Sequence, residues 1–159
     1  MRKIDQLLDE YGESHRHQTN KLIHWICVPL IFMSIVGLVW SIPHELLSAR
    51  LEQPWNEWIN WATLILVIVL LYYLRLSPPL FLGMVLVVAV FVGIVYNLDR
   101  LNTPLWLISL VIFVVAWAGQ FYGHKIEGKK PSFLKDLQFL LIGPAWLMHF
   151  VYKKMGLPY

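Results

Sequence analysis

The sequence predicts an all-α integral membrane protein, with four transmembrane helices, a bent or re-entrant fifth helix, and both termini cytoplasmic. Three observations predict it. Of 159 residues, 58% are hydrophobic and only 14% charged, where an ordinary soluble domain has roughly a quarter charged. Apolar runs close to the ~20 residues that cross a hydrocarbon layer recur along the chain. Lys and Arg gather just beyond the ends of those runs. Backbone groups in lipid must be satisfied within their own segment, so the runs are helices. The ten-residue alternation of a transmembrane barrel is absent. The length predicts one helical domain, residues 1–159.

The first predicted span is Leu22 to Ile42, with few polar interruptions. The second is Ile59 to Leu76. Trp55, Trp58 and Trp61 at its start read as an interfacial aromatic belt. The third, Leu80 to Tyr96, comes after "SPP" at 77–79. The fourth is Pro104 to Tyr122, with Pro104 suited to a helix start. The fifth apolar stretch, Leu137 to Tyr152, is shorter and carries Gly143 and Pro144, which read as its bend.

Basic residues near span ends predict orientation. Arg2, Lys3, Arg16 and Lys21 precede the first span, and Lys125, Lys129, Lys130 and Lys135 follow the fourth. The loop 43–60 has Arg50 against Glu45, Glu52 and Glu57. The amino terminus and the region after Tyr122 are therefore expected on the cytoplasmic side, and loop 43–60 on the other. Lys153 and Lys154 put the carboxyl terminus on the cytoplasmic side too, which makes the fifth segment re-entrant or interfacial.

The same composition excludes several classes. The net charge is only +3 and the cations cluster at span ends, so they read as membrane-surface anchors and nucleic-acid binding is not expected. The spans hold almost no charged residues, which argues against a proton pump or an ion-coupled transporter. The single Cys27 allows no internal disulfide and no cysteine metal cluster. The first 21 residues carry both charge signs and lack a signal-peptide apolar core, so the first span is expected to be retained.

Against this apolar background, "YGESHRHQTNKLIHW" at 11–25 packs three histidines, a glutamate and an asparagine just ahead of the first span. His15, His17 and His24 open that span and His124 closes the fourth. An even number of crossings separates them, so one membrane face collects them. Neutral imidazole suits Fe, Zn, Cu and Ni. Asn20 and Glu13 can add oxygen ligands or supporting hydrogen bonds. In "GQFYGHKIEGKKP" at 119–131, Gln120 and His124 share a helix face at i,i+4, and His124 and Glu127 at i,i+3. Asn20, Gln120, Glu127 and His17 are thus candidate partners around the ligands. Gly119 and Gly123 permit close approach of another helix. His44 falls in the opposite loop and His149 reads as a lone satisfied histidine.

Helix geometry leaves one alternative open. Asn20 and His24 share a face, with His17 near it. His15 lies nine residues before His24, nearly opposite on a continuous helix at about 100° per residue. His15 reaches a shared site only if the helix breaks, and a break is expected near Gln18 and Thr19, with Thr19 capping a helix that begins at Asn20. Otherwise His17 takes the place of His15.

These residues resemble a known family. "YGESHRHQTNKLIHWICVPL" is similar to an amino-terminal pattern of Tyr, His, Asn, His and Pro, and "GQFYGHKIEGKKPSFLKDLQFLLIGP" to a Gln-Phe-x-Gly-His and Lys-Pro pattern. Both occur in the 2-hydroxy fatty acid dioxygenases, known from yeast phytosphingosine breakdown and from small bacterial membrane proteins. The resemblance implies an Fe(II)-dependent enzyme that shortens a 2-hydroxy fatty acid by one carbon with dioxygen. By position, His15, His24 and His124 are the implied metal ligands and catalytic centre; Tyr11, Asn20 and Pro29 also match, and His17 and His149 do not. The implied partners are the 2-hydroxy fatty acid, dioxygen and membrane lipid, and a homo-oligomer is compatible. The implied location is a bacterial inner membrane, with the site on the cytoplasmic side. The rival readings are a haem-binding protein pairing His24 with His124, and a structural membrane protein without catalysis.

Overall fold

The computed structural model describes residues 2–13, 15–53, 55–128 and 139–158, and every regular element among them is a helix. In chain order these are α1 (Lys3–Gly12), α2 (Gln18–Trp40), α3 (Glu45–Ser48), α4 (Trp55–Trp58), α5 (Trp61–Leu76), α6 (Pro78–Leu98), α7 (Leu105–Glu127) and α8 (Ile142–Met155).

Local chemistry sets their ends. Asn60 and Thr63 form a reciprocal capping box at the start of α5. The Ser77 side chain caps α6, whose first two positions are Pro78 and Pro79. Pro104 caps α7, and Gly128 ends it in the left-handed conformation (φ 72°) that glycine adopts without a Cβ penalty.

Three helices, α2, α6 and α7, are long and apolar enough to cross a membrane. Helix α5 is as apolar but has 16 residues, about 24 Å at 1.5 Å per residue, against a hydrocarbon core of about 30 Å. Leu86, Val90, Leu110, Val111, Val114 and Val115 point outward from α6 and α7. An apolar exterior of that extent is rare on a soluble monomer and is compatible with a membrane protein.

Helix α2 is the central post. It packs antiparallel to α7, and glycines allow the close approach. A Cβ on Gly119 would lie 2.7 Å from Cys27 Sγ, one on Gly123 would collide with Asn20 Oδ1, and one on Gly37 with Ser109 Oγ. Cys27 packs in this seam beside Ile31 and Ala116. On the other side of α2, α5 and α6 form a hairpin. At one end of the molecule the Trp40 indole donates to Asp99 at 3.3 Å and Trp58 stacks on Tyr96 at 4.6 Å. At the other end Tyr73 Oη donates to the Leu141 carbonyl and Tyr152 Oη to the Pro79 carbonyl, both at 2.6 Å. The hairpin thus runs from the Trp40 end to the α8 end and back. That returns the chain for α7 to deliver His124 beside the start of α2.

Three expectations change. Helix α1 was not foreseen; Ile4, Leu8 and Tyr11 form its buried stripe, at the 4- and 3-residue spacing of a helix face. The cap of α2 is His17, not Thr19: the His17 Nδ1 accepts the Thr19 backbone N–H at 3.2 Å, and the helix begins at Gln18. Gly143 and Pro144 do not bend the fifth helix but sit in the first turn of α8, where a proline lacks no intrahelical hydrogen bond. Leu137, where that segment was expected to begin, and Lys129, Lys130 and Lys135 lie outside the described residues.

Candidate metal centre

The chain breaks between α1 and α2, and this break is what allows His15 to turn inward. His15 lies in the connection between α1 and α2, His24 projects from the second turn of α2, and His124 from the last turn of α7. All three are buried. Their ring centroids are 4.1 Å apart for His15–His24, 5.0 Å for His24–His124 and 5.5 Å for His15–His124. One ring nitrogen from each lies within 4.8 Å of the others. No carboxylate or thiolate joins this group among the described residues.

Hydrogen bonds fix the orientation of two of these rings. His15 Nδ1 lies 2.6 Å from the Tyr11 carbonyl oxygen, and His24 Nδ1 lies 2.9 Å from that of Asn20. A carbonyl can only accept, so each Nδ1 carries the proton and each Nε2 keeps its lone pair. This is the neutral tautomer that ligates metals, held by the carbonyl partner typical of such histidines. Tyr11 also stacks on His15 with centroids 4.3 Å apart and planes 14° from parallel, and Trp146 stands 5.3 Å from the same ring. Gln120, one turn before His124, is buried and shares a cavity wall with the His24 ring.

Glu127 ties the two histidine-bearing helices together. Its Oε1 accepts the backbone N–H of Arg16 at 2.9 Å. Its Oε2 accepts that of His17 at 2.9 Å and the Asn20 side-chain amide at 3.0 Å. An anion there meets backbone N–H groups just ahead of the first turn of α2, at the positive end of the helix dipole. The clasp also holds the chain just after His15, and so helps to aim that ring.

Two spaces adjoin the histidines. A cavity of about 30 Å³ touches His24 and Gln120 and is otherwise walled by Tyr11, Val28, Ile31 and Leu140, among others. A wider polar cleft of about 440 Å³ reaches His15 from outside, past Asp9, Glu13, Arg16, Lys21 and His149.

The structure therefore brings together His15, His24 and His124, with Asn20, Gln120 and Glu127 around them. It sets His17 apart: that ring is exposed and occupied as a helix cap. Glu13 is exposed at the end of α1. His44 lies past the far end of α2, and His149 lines the polar cleft. Tyr11 and Trp146 pack on the centre without having been singled out by their chemistry; the i,i+4 spacing of Tyr11 and His15 is the signal that was available.

Three neutral imidazoles fit a metal ion such as Fe, Zn, Cu or Ni and leave further coordination positions open. They do not fit a haem pinned between His24 and His124. The rings are 5.0 Å apart and the adjoining cavity of about 30 Å³ holds no macrocycle. Fold and centre together define an all-helical, membrane-compatible protein with a buried three-histidine group. The chain belongs to the 2-hydroxy-palmitic acid dioxygenase Mpo1-like family, whose model matches residues 1–155. No curated protein and no solved structure matches it.

Proposed function

We propose that the chain is an Fe(II)-dependent dioxygenase that shortens 2-hydroxy fatty acids by one carbon at the cytoplasmic face of a membrane. The observation that carries this reading is the buried convergence of His15, His24 and His124, taken with membership of the 2-hydroxy-palmitic acid dioxygenase Mpo1-like family. These histidines would hold the iron through their Nε2 atoms or, for His124, whichever ring nitrogen faces the other two. Iron(II), when bound, supplies electrons to dioxygen and Lewis acidity toward a hydroxy-carboxylate.

The chain's own residues do the rest. The Tyr11 and Asn20 carbonyls hold His15 and His24 in one tautomer. Tyr11 and Trp146 pack on His15 and hold its ring in place beside the polar cleft. The polar cleft beside His15 suits the carboxylate end of the substrate, with Arg16 and Lys21 in its wall, while the apolar walls below His24 suit the tail.

In this reading α5 also crosses the membrane, giving four spans, because the α5–α6 hairpin runs from the Trp40 end of the molecule to the α8 end and back. The histidine end faces the cytoplasm, on the strength of the basic residues around it. The test is metal analysis of anaerobically purified protein, followed by mass spectrometry of 2-hydroxypalmitate with and without dioxygen. The expected result is one iron per chain and dioxygen-dependent formation of the acid one carbon shorter. Iron-loaded protein that leaves a panel of 2-hydroxy acids untouched contradicts it.

A further inference from the structure

The small cavity below His24 does not stand alone. Leu140 belongs to its wall and also to the wall of a second, almost wholly apolar cavity of about 130 Å³ between α2 and α5. Along α2 the first cavity is lined by His24, Val28 and Ile31, and the second by Phe32, Ile35 and Val39, among others. His24, Val28, Ile31 and Ile35 are spaced 4, 3 and 4 residues apart, one continuous face of a helix. A single stripe on α2 therefore begins at the histidine centre and descends into the apolar interior, with Leu140 lining both of its spaces.

Its length is informative. From residue 24 to residue 39 the helix rises about 22 Å at 1.5 Å per residue. With carbon–carbon bonds near 1.5 Å, an extended chain advances roughly 1.25 Å per carbon. The stripe thus matches in length an extended chain of about eighteen carbons.

We infer that the cavities joined at Leu140 are the acyl-tail channel of the substrate, and that Ile35 and Leu140 set the chain length the site accepts. The inference rests on the dioxygenase reading above. A larger apolar groove exists, about 360 Å³ between α2, α6 and α8, lined by Trp25, Leu86, Val90 and Met148 among others. It shares no wall residue with the histidine cavity, whereas the channel shares Leu140.

The position of Ile35, about 16 Å from residue 24 along the axis, makes it a stop for tails beyond roughly twelve carbons once enlarged. Ile35 is half-buried, so an indole there keeps part of its ring in the channel while its far edge meets the open side. The experiment measures kcat/KM for 2-hydroxy acids from eight to eighteen carbons with wild type, Ile35→Trp, Leu140→Trp and Leu86→Trp. Tryptophan-fluorescence titration with the same acids under nitrogen reads binding apart from turnover.

The expected result is a loss of roughly tenfold or more on 2-hydroxypalmitate for Ile35→Trp, the scale of a hydrophobic pocket's discrimination, with 2-hydroxyoctanoate unchanged. Leu140→Trp shifts the cut-off to still shorter acids and Leu86→Trp changes nothing. If Ile35→Trp lowers all lengths equally while retaining its helical circular dichroism, the channel assignment is overturned and the dioxygenase reading stands. If Leu86→Trp instead produces the length cut-off, the tail lies in the outer groove and the channel is again overturned. Wild-type protein that is iron-loaded yet inert on every length overturns both.

Discussion

The carboxylate of Glu127, the last residue of α7, accepts the side-chain amide of Asn20, in the first turn of α2, at 3.0 Å. The two residues are 107 positions apart. The bond closes the antiparallel pair of helices that carry His24 and His124. It also puts the carbonyl of Asn20, which orients His24, under direct control of α7.

Replacing Glu127 with Gln keeps the shape but turns a donor toward backbone N–H groups that need acceptors. The expected outcome is metal affinity lowered by the 10- to 100-fold typical of a lost supporting partner, with helicity retained. Competition with a chelator of known affinity reads it. Asn20→Ala should fall in the same range or below it, since it leaves the carbonyl in place and removes one of the three hydrogen bonds of the clasp.

His17 and His15 differ by two positions and have different roles. His17→Ala removes a helix cap, worth about 1 kcal/mol, and should leave metal content untouched. His15→Ala should remove most of the metal. Thermal unfolding in detergent and metal analysis of both variants separate the two effects. A His17→Ala protein that loses its metal while His15→Ala keeps it would reverse the assignment.

The seam between α2 and α7 makes a prediction about glycine. At Gly123 an added methyl group collides with Asn20 Oδ1, whereas at Gly93, in the last third of α6, nothing lies within 4 Å. Gly123→Ala should destabilise by about 1–3 kcal/mol and weaken metal retention. Gly93→Ala should stabilise by up to about 1 kcal/mol through helix propensity alone. Denaturation midpoints of the pair measure the contrast.

How much of this the sequence discloses depends on range. The apolar runs locate α2, α6 and α7 within a few residues, because hydropathy is a property of each segment by itself. The convergence of His24 with His124 follows from counting crossings, which needs only the number and order of the runs. Helix α1 escapes the same reading because its charges mask a three-residue stripe, Ile4, Leu8 and Tyr11. The capping role of His17 escapes because histidine is not among the usual capping residues. The Glu127 clasp is legible only as a shared face with His124. Its hydrogen bonds to Arg16, His17 and Asn20 form between distant segments, and no local pattern encodes them.

The central claim is that His15, His24 and His124 together hold a metal, and metal content after single replacements tests it most directly. Wild type, His24→Ala, His124→Ala and His44→Ala are purified anaerobically and analysed for iron and other metals, with circular dichroism as the check on folding. The expected result is about one metal per chain in wild type and His44→Ala, and loss of most metal and all turnover in the other two with helicity intact. A His124→Ala protein that keeps its full metal content and turnover would contradict the shared centre.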